Sequence, residues 1–232
     1  MATALANKID FSNRGQYGQL TSVPKTIKPL VRKLVGSVIG FKSGFEELNK
    51  KGGFEAHNWD IYGYDATRKL VVLQFRHVYK RKESWYTQVQ KQYVLAGIDE
   101  GQPFFHILPS SPLQMKGLKE STPQEVVRWC ESKIFGVRID TLKNIVRQGD
   151  VAFVPVLRIP RDAERVTGTV TYRESHKLSG DVFEDDGQYY VSGTATLDHI
   201  PGQHSQRTVS GTYRVVTGER GSRWHWLNAP VD

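Results

Sequence analysis

The chain of 232 residues has a single cysteine, Cys130, and no apolar run that approaches the length of a membrane span. One thiol excludes an intramolecular disulfide framework and any metal site built from several cysteines. A membrane-spanning helix needs about 20 predominantly apolar residues. The segment 1–20 also lacks the basic and then apolar pattern of a secretory signal peptide. We therefore expect a cytoplasmic protein without a membrane partner.

The composition is that of an ordinary globular protein with an excess of positive charge. Hydrophobic residues make up 38% of the chain and charged residues 24%, which is enough apolar material for a core. Lys and Arg number 32 against 24 Asp and Glu, so the net charge is +8. Such an excess suits a polyanionic partner such as a nucleic acid, although a basic protein with no such partner can have the same composition.

The N-terminal part of the chain predicts an arm, a helix and a loop. Residues 1–22 are polar and lack periodicity, so we interpret them as a flexible arm that can dock on a protein partner. Apolar residues then recur at helical spacing, which predicts a helix from about Pro29 to Gly40. The Gly- and Lys-rich stretch 41–58 is typical of a loop. The segment 57–65 crowds aromatic and acidic side chains and indicates the start of a strand or, alternatively, a binding surface.

Two runs rich in β-branched and aromatic residues, 69–80 and 85–97, predict strands joined as a hairpin. Their alternation predicts one buried face and one exposed face that combines amides with an arginine. The sequence YKRK places three cations at the hairpin tip, which favours nucleic-acid binding, RNA ahead of DNA. The predicted contact residues, including two arginines near C-terminal tryptophans, are Arg76, Lys80, Arg81, Lys82, Gln88, Gln90, Arg220 and Arg223.

The clearest local signal lies in the middle of the chain. Thr122 and Glu125 form a T-x-x-E capping box, and Gly136 suits a helix end, so the pattern predicts a helix over 122–135. The apolar positions of this helix place Cys130 among core residues. The helix separates two β-rich halves of the chain.

Beyond residue 149 the pattern consists of strands and turns. A hairpin is predicted around an Asp-Asp-Gly turn, a composition that tolerates positive φ. The motifs VTGTVT, VSGTAT and VSGTYR place glycines where the strands of a small barrel or sandwich bend. The fold class is therefore mainly β or α+β. We expect an α+β domain with a β-hairpin sheet over 23–118, a helical linker over 119–148, and a small β-barrel or sandwich over 149–232.

Three of the seven histidines, His176, His199 and His204, lie in this last part of the chain. If Glu174 and His176 share a strand, their side chains leave on the same face, and a Pro-Gly turn can return His204 toward His199. We therefore predict that the three imidazoles converge on one site. Together with the Glu174 carboxylate they would suit a divalent transition metal, with an open position for water or substrate.

The same histidines also fit a chemistry that needs no metal. Two histidines that flank a phosphodiester can cleave RNA by acid–base catalysis, while a cation stabilises the developing charge. His176, His204, Arg207 and Tyr213 would be the catalytic residues. A third interpretation is that the histidines are hydrogen-bonded surface residues without a chemical role.

Around these histidines, the segment 147–220 contains the motifs RQGDV, SHKLSG, LDHIPGQH and GTYRVV. Over this segment the chain resembles a family of small uncharacterised bacterial β-rich proteins. The family has two histidine pairs, H-x-H and H-x-x-H. In this chain Glu174 takes the place of the first histidine, and the second pair, His199 and His204, is more widely spaced. The resemblance implies a domain with a site at the histidines, and it implies no particular reaction.

These observations lead to functions of different classes. The leading expectation is a basic RNA-binding protein, with histidine-dependent phosphodiester cleavage as an extension. One alternative is a metal-dependent enzyme that acts on a small molecule through the His/Glu cluster. Another is a structural or assembly protein whose polar arm docks on a second chain.

Overall fold

A computed structural model describes residues 14–38, 44–49, 53–202 and 204–221 of the chain. Strands account for 46% of the residues and helices for 15%, and the strands form antiparallel sheets. The predicted mainly β fold is therefore confirmed. Within the described residues, no helix is both long enough and apolar enough to cross a membrane.

The chain divides into two compact units. The first comprises the described residues up to Ile98 together with Pro103–Cys130 and Gly221, and the second comprises Asp99–Gln102 and the described residues of Glu131–Arg220. Each unit contains its own sheet and its own hydrophobic core.

A five-stranded sheet forms the first unit, and each strand pairs with its neighbours in sequence. The strands are β1 (Gly44–Asn49), β2 (Gly53–Asp65), β3 (Leu70–Lys80), β4 (Gln88–Asp99) and β5 (Gln102–Ile107). Because side chains alternate along β3, Val71, Leu73 and Phe75 lie on one face, where all three are fully buried. Helix α1 (Ile27–Lys33), continued by one π-helical turn (Leu34–Val38), packs on this face.

The stretch 41–58, predicted as a loop, instead contains β1 and the first part of β2. The two strands pair antiparallel, with Glu46 opposite Glu55. Glycine and lysine have weak strand propensity, but pairing with neighbouring strands outweighs that preference. The strand predicted from the aromatic segment 57–65 is confirmed, because this segment lies within β2.

The described part of the predicted arm, residues 14–22, is ordered against the first unit. The Arg14 guanidinium donates hydrogen bonds of 2.7, 2.7 and 3.1 Å to the carbonyl oxygens of Gly18, Tyr62 and Ser121. Leu20 is buried in the core. These charge-assisted bonds and this burial offset the entropy of ordering the segment, so the flexible-arm prediction is wrong for these residues. Residues 1–13 lie outside the described part of the chain.

Helix α2 (Pro123–Phe135) confirms the prediction for the middle of the chain. Thr122 Oγ1 accepts a hydrogen bond from the Glu125 N–H at 3.3 Å, and Glu125 Oε2 accepts one from the Thr122 N–H at 2.6 Å. These two bonds are the predicted capping box. Gly136 has a φ of +61°, as expected of a residue that ends a helix. Cys130 is fully buried, so its thiol is a core group.

The described strands of the second unit form an eight-stranded sheet that does not close. They are β6 (Val146–Gln148), β7 (Val151–Pro155), β8 (Glu164–Val166), β9 (Val170–Tyr172), β10 (His176–Asp185), β11 (Gln188–His199), β12 (Arg207–Ser210) and β13 (Tyr213–Thr217). The order is β6-β7-β13-β11-β10-β8, with β12 beside β11 and β9 beside β10. Of the two predicted alternatives, a small barrel or a sandwich, the barrel is therefore wrong for the described strands. Closure requires the two edges to pair, and the short strands β6 and β8 remain edges instead.

The long hairpin of β10 and β11 confirms two predictions about turns. Asp186 and Gly187, at its tip, have φ angles of +47° and +75°, as expected of the Asp-Asp-Gly turn. At Gly193, strand β11 exchanges one partner, β13, for another, β12. Gly193 and Gly211 both have positive φ, and the Gly211 N–H donates to the Gly193 carbonyl at 2.9 Å. The recurring glycines therefore mark bends, as predicted.

Candidate nucleic-acid interface and histidine clusters

The loop that joins β3 to β4 exposes cations beside aromatic rings. We call Lys80, Arg81, Lys82, Trp85 and Tyr86 the basic tip. Trp85 is 90% exposed and Tyr86 49% exposed, and their rings meet edge to face at 5.4 Å. None of the ion pairs among the described residues involves a cation of the tip. These charges are therefore available to an anionic ligand.

Hydrogen bonds of Ser84 shape this loop. The Ser84 N–H donates to the Arg81 carbonyl at 3.0 Å, and its hydroxyl accepts from the Tyr86 N–H at 3.3 Å. Strand β4 begins at Gln88 rather than at residue 85, so both aromatic residues of the tip belong to the loop. An indole held open to solvent is the arrangement that lets a ring stack on a nucleic-acid base.

The predicted face that combines amides with an arginine does not form. The register places Gln88 and Gln90 on the core face of the sheet and Arg76 on the opposite face. The cause is the length of the loop 81–87, which sets even-numbered residues of β4 opposite odd-numbered residues of β3. Arg76 is also neutralised, because its guanidinium pairs with Asp60 of β2 at 2.8 Å. The prediction that these three residues share one binding surface is wrong.

Of the two predicted C-terminal arginines, Arg220 and Arg223, the structure describes only Arg220. Arg220 forms an ion pair with Asp150 at 3.0 Å, within the second unit. Arg223 lies outside the described residues. Among the predicted contact residues that the structure describes, the cations of the basic tip best combine charge with exposure.

His176, His199 and His204 converge in the second unit, as predicted. His176 lies directly opposite His199 in the register of β10 and β11, and their ring centroids are 4.9 Å apart. The rings of His199 and His204 are also 4.9 Å apart. We call these residues the histidine trio.

Glu174 does not lie on the strand with His176, because it occupies the preceding turn with a φ of +61°. The prediction that strand alternation places Glu174 on the same face as His176 is therefore wrong.

The most buried member of the trio is His176, which is 2% exposed. Its Nδ1 lies 2.9 Å from Ser175 Oγ, and its Nε2 makes no hydrogen bond of normal geometry with a described residue. Burial lowers the pKa of His176, the Asp150 carboxylate opposes this effect, and the other two imidazoles add to it. The site therefore favours a neutral imidazole at this position.

Glu100, which the sequence did not indicate, organises the edge of the trio. Its carboxylate accepts hydrogen bonds from the Ser205 N–H at 2.7 Å and from Arg207 at 2.6 Å, and it lies 3.8 Å from His204 Nδ1. The Ser205 hydrogen bond, with smaller contributions from the Arg207 and His204 charges, lowers the pKa of Glu100. Arg207 therefore lies near the trio, as predicted, but it is held in an ion pair.

Tyr213, the remaining residue predicted for catalysis, is not part of this site. It pairs with Val191, near the other end of the strand that carries His199. At about 3.3 Å per residue, the two positions lie about 26 Å apart along β11. The Tyr213 ring packs instead against Phe153 of the core, at 6.0 Å between centroids. The predicted assembly of this tyrosine with the histidines is therefore wrong.

A second histidine cluster, which was not predicted, lies in the first unit. His57 of β2 lies directly opposite His77 of β3, and the rings stack at 4.6 Å with their planes 9° apart. Glu55 Oε1 contacts Nε2 of both rings, at 3.3 Å from His57. Among the described residues, this is the one group of three His, Cys, Asp or Glu side chains whose ligand atoms all lie within 4.8 Å of one another. The signal in the sequence was the spacing of Glu55, His57 and Trp59, which puts all three on one face if the segment is a strand. This signal was missed because 41–58 was predicted to be a loop.

Comparison with protein-family models, with curated proteins and with solved structures finds no match to this chain. The family resemblance over 147–220 therefore stays a prediction. The function has to be argued from the geometry of the basic tip and of the two histidine clusters.

Proposed function

We propose that the protein binds single-stranded nucleic acid, RNA ahead of DNA, through the basic tip. The observation that carries the proposal is the 90% exposure of Trp85 beside three cations. An exposed aromatic ring provides a stacking platform worth about 1–3 kcal/mol per base. Lys and Arg side chains neutralise the phosphates that flank the stacked base. RNA is favoured because proteins recognise it mostly in single-stranded segments, whose bases stack on aromatic side chains.

The proposal concerns binding rather than cleavage. Acid–base cleavage requires histidines that reach the substrate, and His176 is almost completely buried. Arg207, the cation predicted to stabilise the developing charge, is already held by Glu100. The histidine trio therefore supports cleavage less well than the basic tip supports binding.

The test measures the affinity for a short labelled RNA by fluorescence anisotropy over a range of salt concentrations. Replacing Lys80, Arg81 and Lys82 by Ala should reduce the slope of log affinity against log salt by up to about 2, since each single-strand phosphate contact contributes about 0.7. Trp85→Ala should weaken binding about 5- to 150-fold and leave the slope unchanged, because stacking involves no counterion release.

A charge-matched control separates the basic tip from the net charge of the protein. Lys28, Lys116 and Lys119 are exposed lysines elsewhere in the first unit, and their replacement by Ala removes the same formal charge. This control should retain the wild-type affinity and slope. Equal losses in both triple variants, or no binding by the wild type at low salt, would contradict the proposal. A parallel titration with DNA of the same sequence tests the preference for RNA.

A further inference from the structure

Glu55, His57 and His77 have the composition of a transition-metal site. Imidazole nitrogen suits Zn²⁺, Cu²⁺, Fe²⁺ and Ni²⁺, and two histidines with one glutamate form a known three-ligand set for zinc. Such a set leaves a coordination position for water or substrate. We propose that these three side chains bind a divalent transition-metal ion, for which Zn²⁺ is the appropriate probe.

The backbone brings the three ligands together without any loop. Glu55 and His57 lie two residues apart on β2, so their side chains leave on the same face. His77 lies directly opposite His57 on β3. Zinc–ligand bonds are about 2.0–2.1 Å long, so two ligands of a tetrahedral ion lie about 3.3 Å apart. The distance between His57 Nε2 and Glu55 Oε1 is 3.3 Å, and all three ligand atoms lie within 4.8 Å of one another. The two ring planes are only 9° from parallel, so binding requires the imidazoles to rotate until both Nε2 lone pairs point at the ion.

The neighbours of His77 orient it as a ligand. Its Nδ1 lies 3.4 Å from Gln90 Oε1, and donation to this amide oxygen leaves the Nε2 lone pair directed toward Glu55. Its ring stacks with the rings of His57 and Tyr79, at centroid distances of 4.6 and 4.9 Å. The amide therefore has the position of an outer partner that selects the tautomer of a metal-binding histidine.

The cluster is also accessible to an ion from solvent. The side chain of His77 is 9% exposed, whereas those of Glu55 and His57 are 20% and 22% exposed. His77 is therefore a buried ligand, whereas Glu55 and His57 are exposed enough for an ion to reach them. If His77 and Glu55 formed only an ion pair, His57 would compete for the same carboxylate oxygen, whereas a bound cation would satisfy both imidazoles and the carboxylate together.

The experiment titrates Zn²⁺ into the untagged full chain after treatment with a chelator, and follows it by calorimetry and thermal unfolding. We expect one equivalent to bind and the Tm to rise with the Zn²⁺ concentration. Glu55→Gln and His57→Gln should each weaken binding at least about 10-fold, and Gln90→Leu, which removes the outer partner of His77, should weaken it about 10- to 100-fold. Circular dichroism checks that each variant is folded. The two ligand substitutions lie at the more exposed positions, so the test does not depend on a substitution of His77.

The histidine trio provides the matched control. A double variant, His199→Gln with His204→Gln, should bind Zn²⁺ as the wild type does. If this variant loses Zn²⁺ while Glu55→Gln retains it, the ion binds in the second unit and the proposal is wrong. A wild-type protein that takes up no Zn²⁺ also overturns the proposal. None of these measurements involves RNA, so failure here is distinguishable from failure of the nucleic-acid proposal.

Discussion

Each unit of this protein places two histidines directly opposite each other on an antiparallel ladder, and the two pairs differ in their third partner. In the first unit, His57 and His77 stack in parallel, and the carboxylate of Glu55 contacts both. In the second unit, His176 and His199 are tilted by 58°, and the third group is another imidazole. A carboxylate oxygen can join two imidazoles as a metal ligand, whereas burial and the neighbouring imidazoles favour the neutral ring of His176. The same cross-strand pair can therefore have different chemistry in each sheet.

Both pairs extend an apolar row on the core face of their sheet. His77 follows Phe75 along β3, and His176 precedes Leu178 along β10; both of these apolar residues are fully buried. The pair in the first unit includes a ring that solvent reaches, since the His57 side chain is 22% exposed. His176 is only 2% exposed. The alternation of side chains along a strand places a histidine on the core face of the sheet. The packing around that histidine then determines whether a ligand can reach it.

The largest expected change in stability comes from a leucine in the apolar row that continues from His176 and His199 along β10 and β11. Leu197 lies opposite Leu178, and both are fully buried. Leu197→Ala should lower the free energy of unfolding by about 2–5 kcal/mol in urea denaturation, because the deletion leaves a cavity. Leu157→Ala removes the same atoms from a side chain that is 103% exposed, and it should change stability by less than about 0.5 kcal/mol. Equally small losses in both variants would contradict the packing described for β11.

The pH dependence of stability tests the buried histidine. Burial lowers the folded-state pKa of His176 below the ordinary value of 6.5. As the pH falls below 6.5, the unfolded chain takes up a proton that the folded protein does not, so the free energy of unfolding should fall until the pH reaches the folded-state pKa. His199→Gln removes a neighbouring charge that lowers this pKa, so it should make the decline shallower. Urea denaturation at a series of pH values measures both profiles, and identical profiles would contradict the coupling between the two rings.

The smallest expected change in stability concerns Glu100, at the edge of the histidine trio. Glu100→Gln removes an ion pair with Arg207 and weakens a hydrogen bond from the Ser205 N–H. We expect a loss of about 1 kcal/mol in the free energy of unfolding, and a smaller loss at high salt, where the ion pair is screened. Asp140→Asn breaks a highly exposed pair with Arg138 and is the matched control, with no measurable loss expected. A loss at Glu100 that salt does not change would assign the effect to the hydrogen bond alone.

Features that depend on residues close together in sequence were predictable. The helix α2 with its capping box required only Thr122, Glu125 and a repeating apolar pattern. The turn at Gly187 required only a composition that tolerates positive φ. The approach of His204 to His199 was predictable for a related reason, because the two residues are close in sequence and a Pro-Gly turn lies between them.

The sites that were mispredicted or missed depend on strand pairing. The Glu55 cluster exists because β2 pairs with β3, and a loop prediction for 41–58 left no strand there to pair. The prediction of one surface that combines amides with Arg76 was wrong for the same reason. The alternation within each strand was correct, but the register between β3 and β4 could not be derived from it. Glu100 reaches the trio from a part of the chain far from His204 in sequence, so no local pattern could indicate it.

The sequence by itself determined the positive charge, the helix caps, the turns and most of the strands, because these follow from residue type and spacing over a few positions. Only the tertiary structure decided which side chains meet. It set Gln90 beside His77 rather than beside Arg76, buried His176, and left Trp85 in solvent. The physical reason is that a shift of one residue in register moves every side chain of a strand to the other face. Register is set by loop length and by packing across the whole sheet, and no short segment of sequence contains that information.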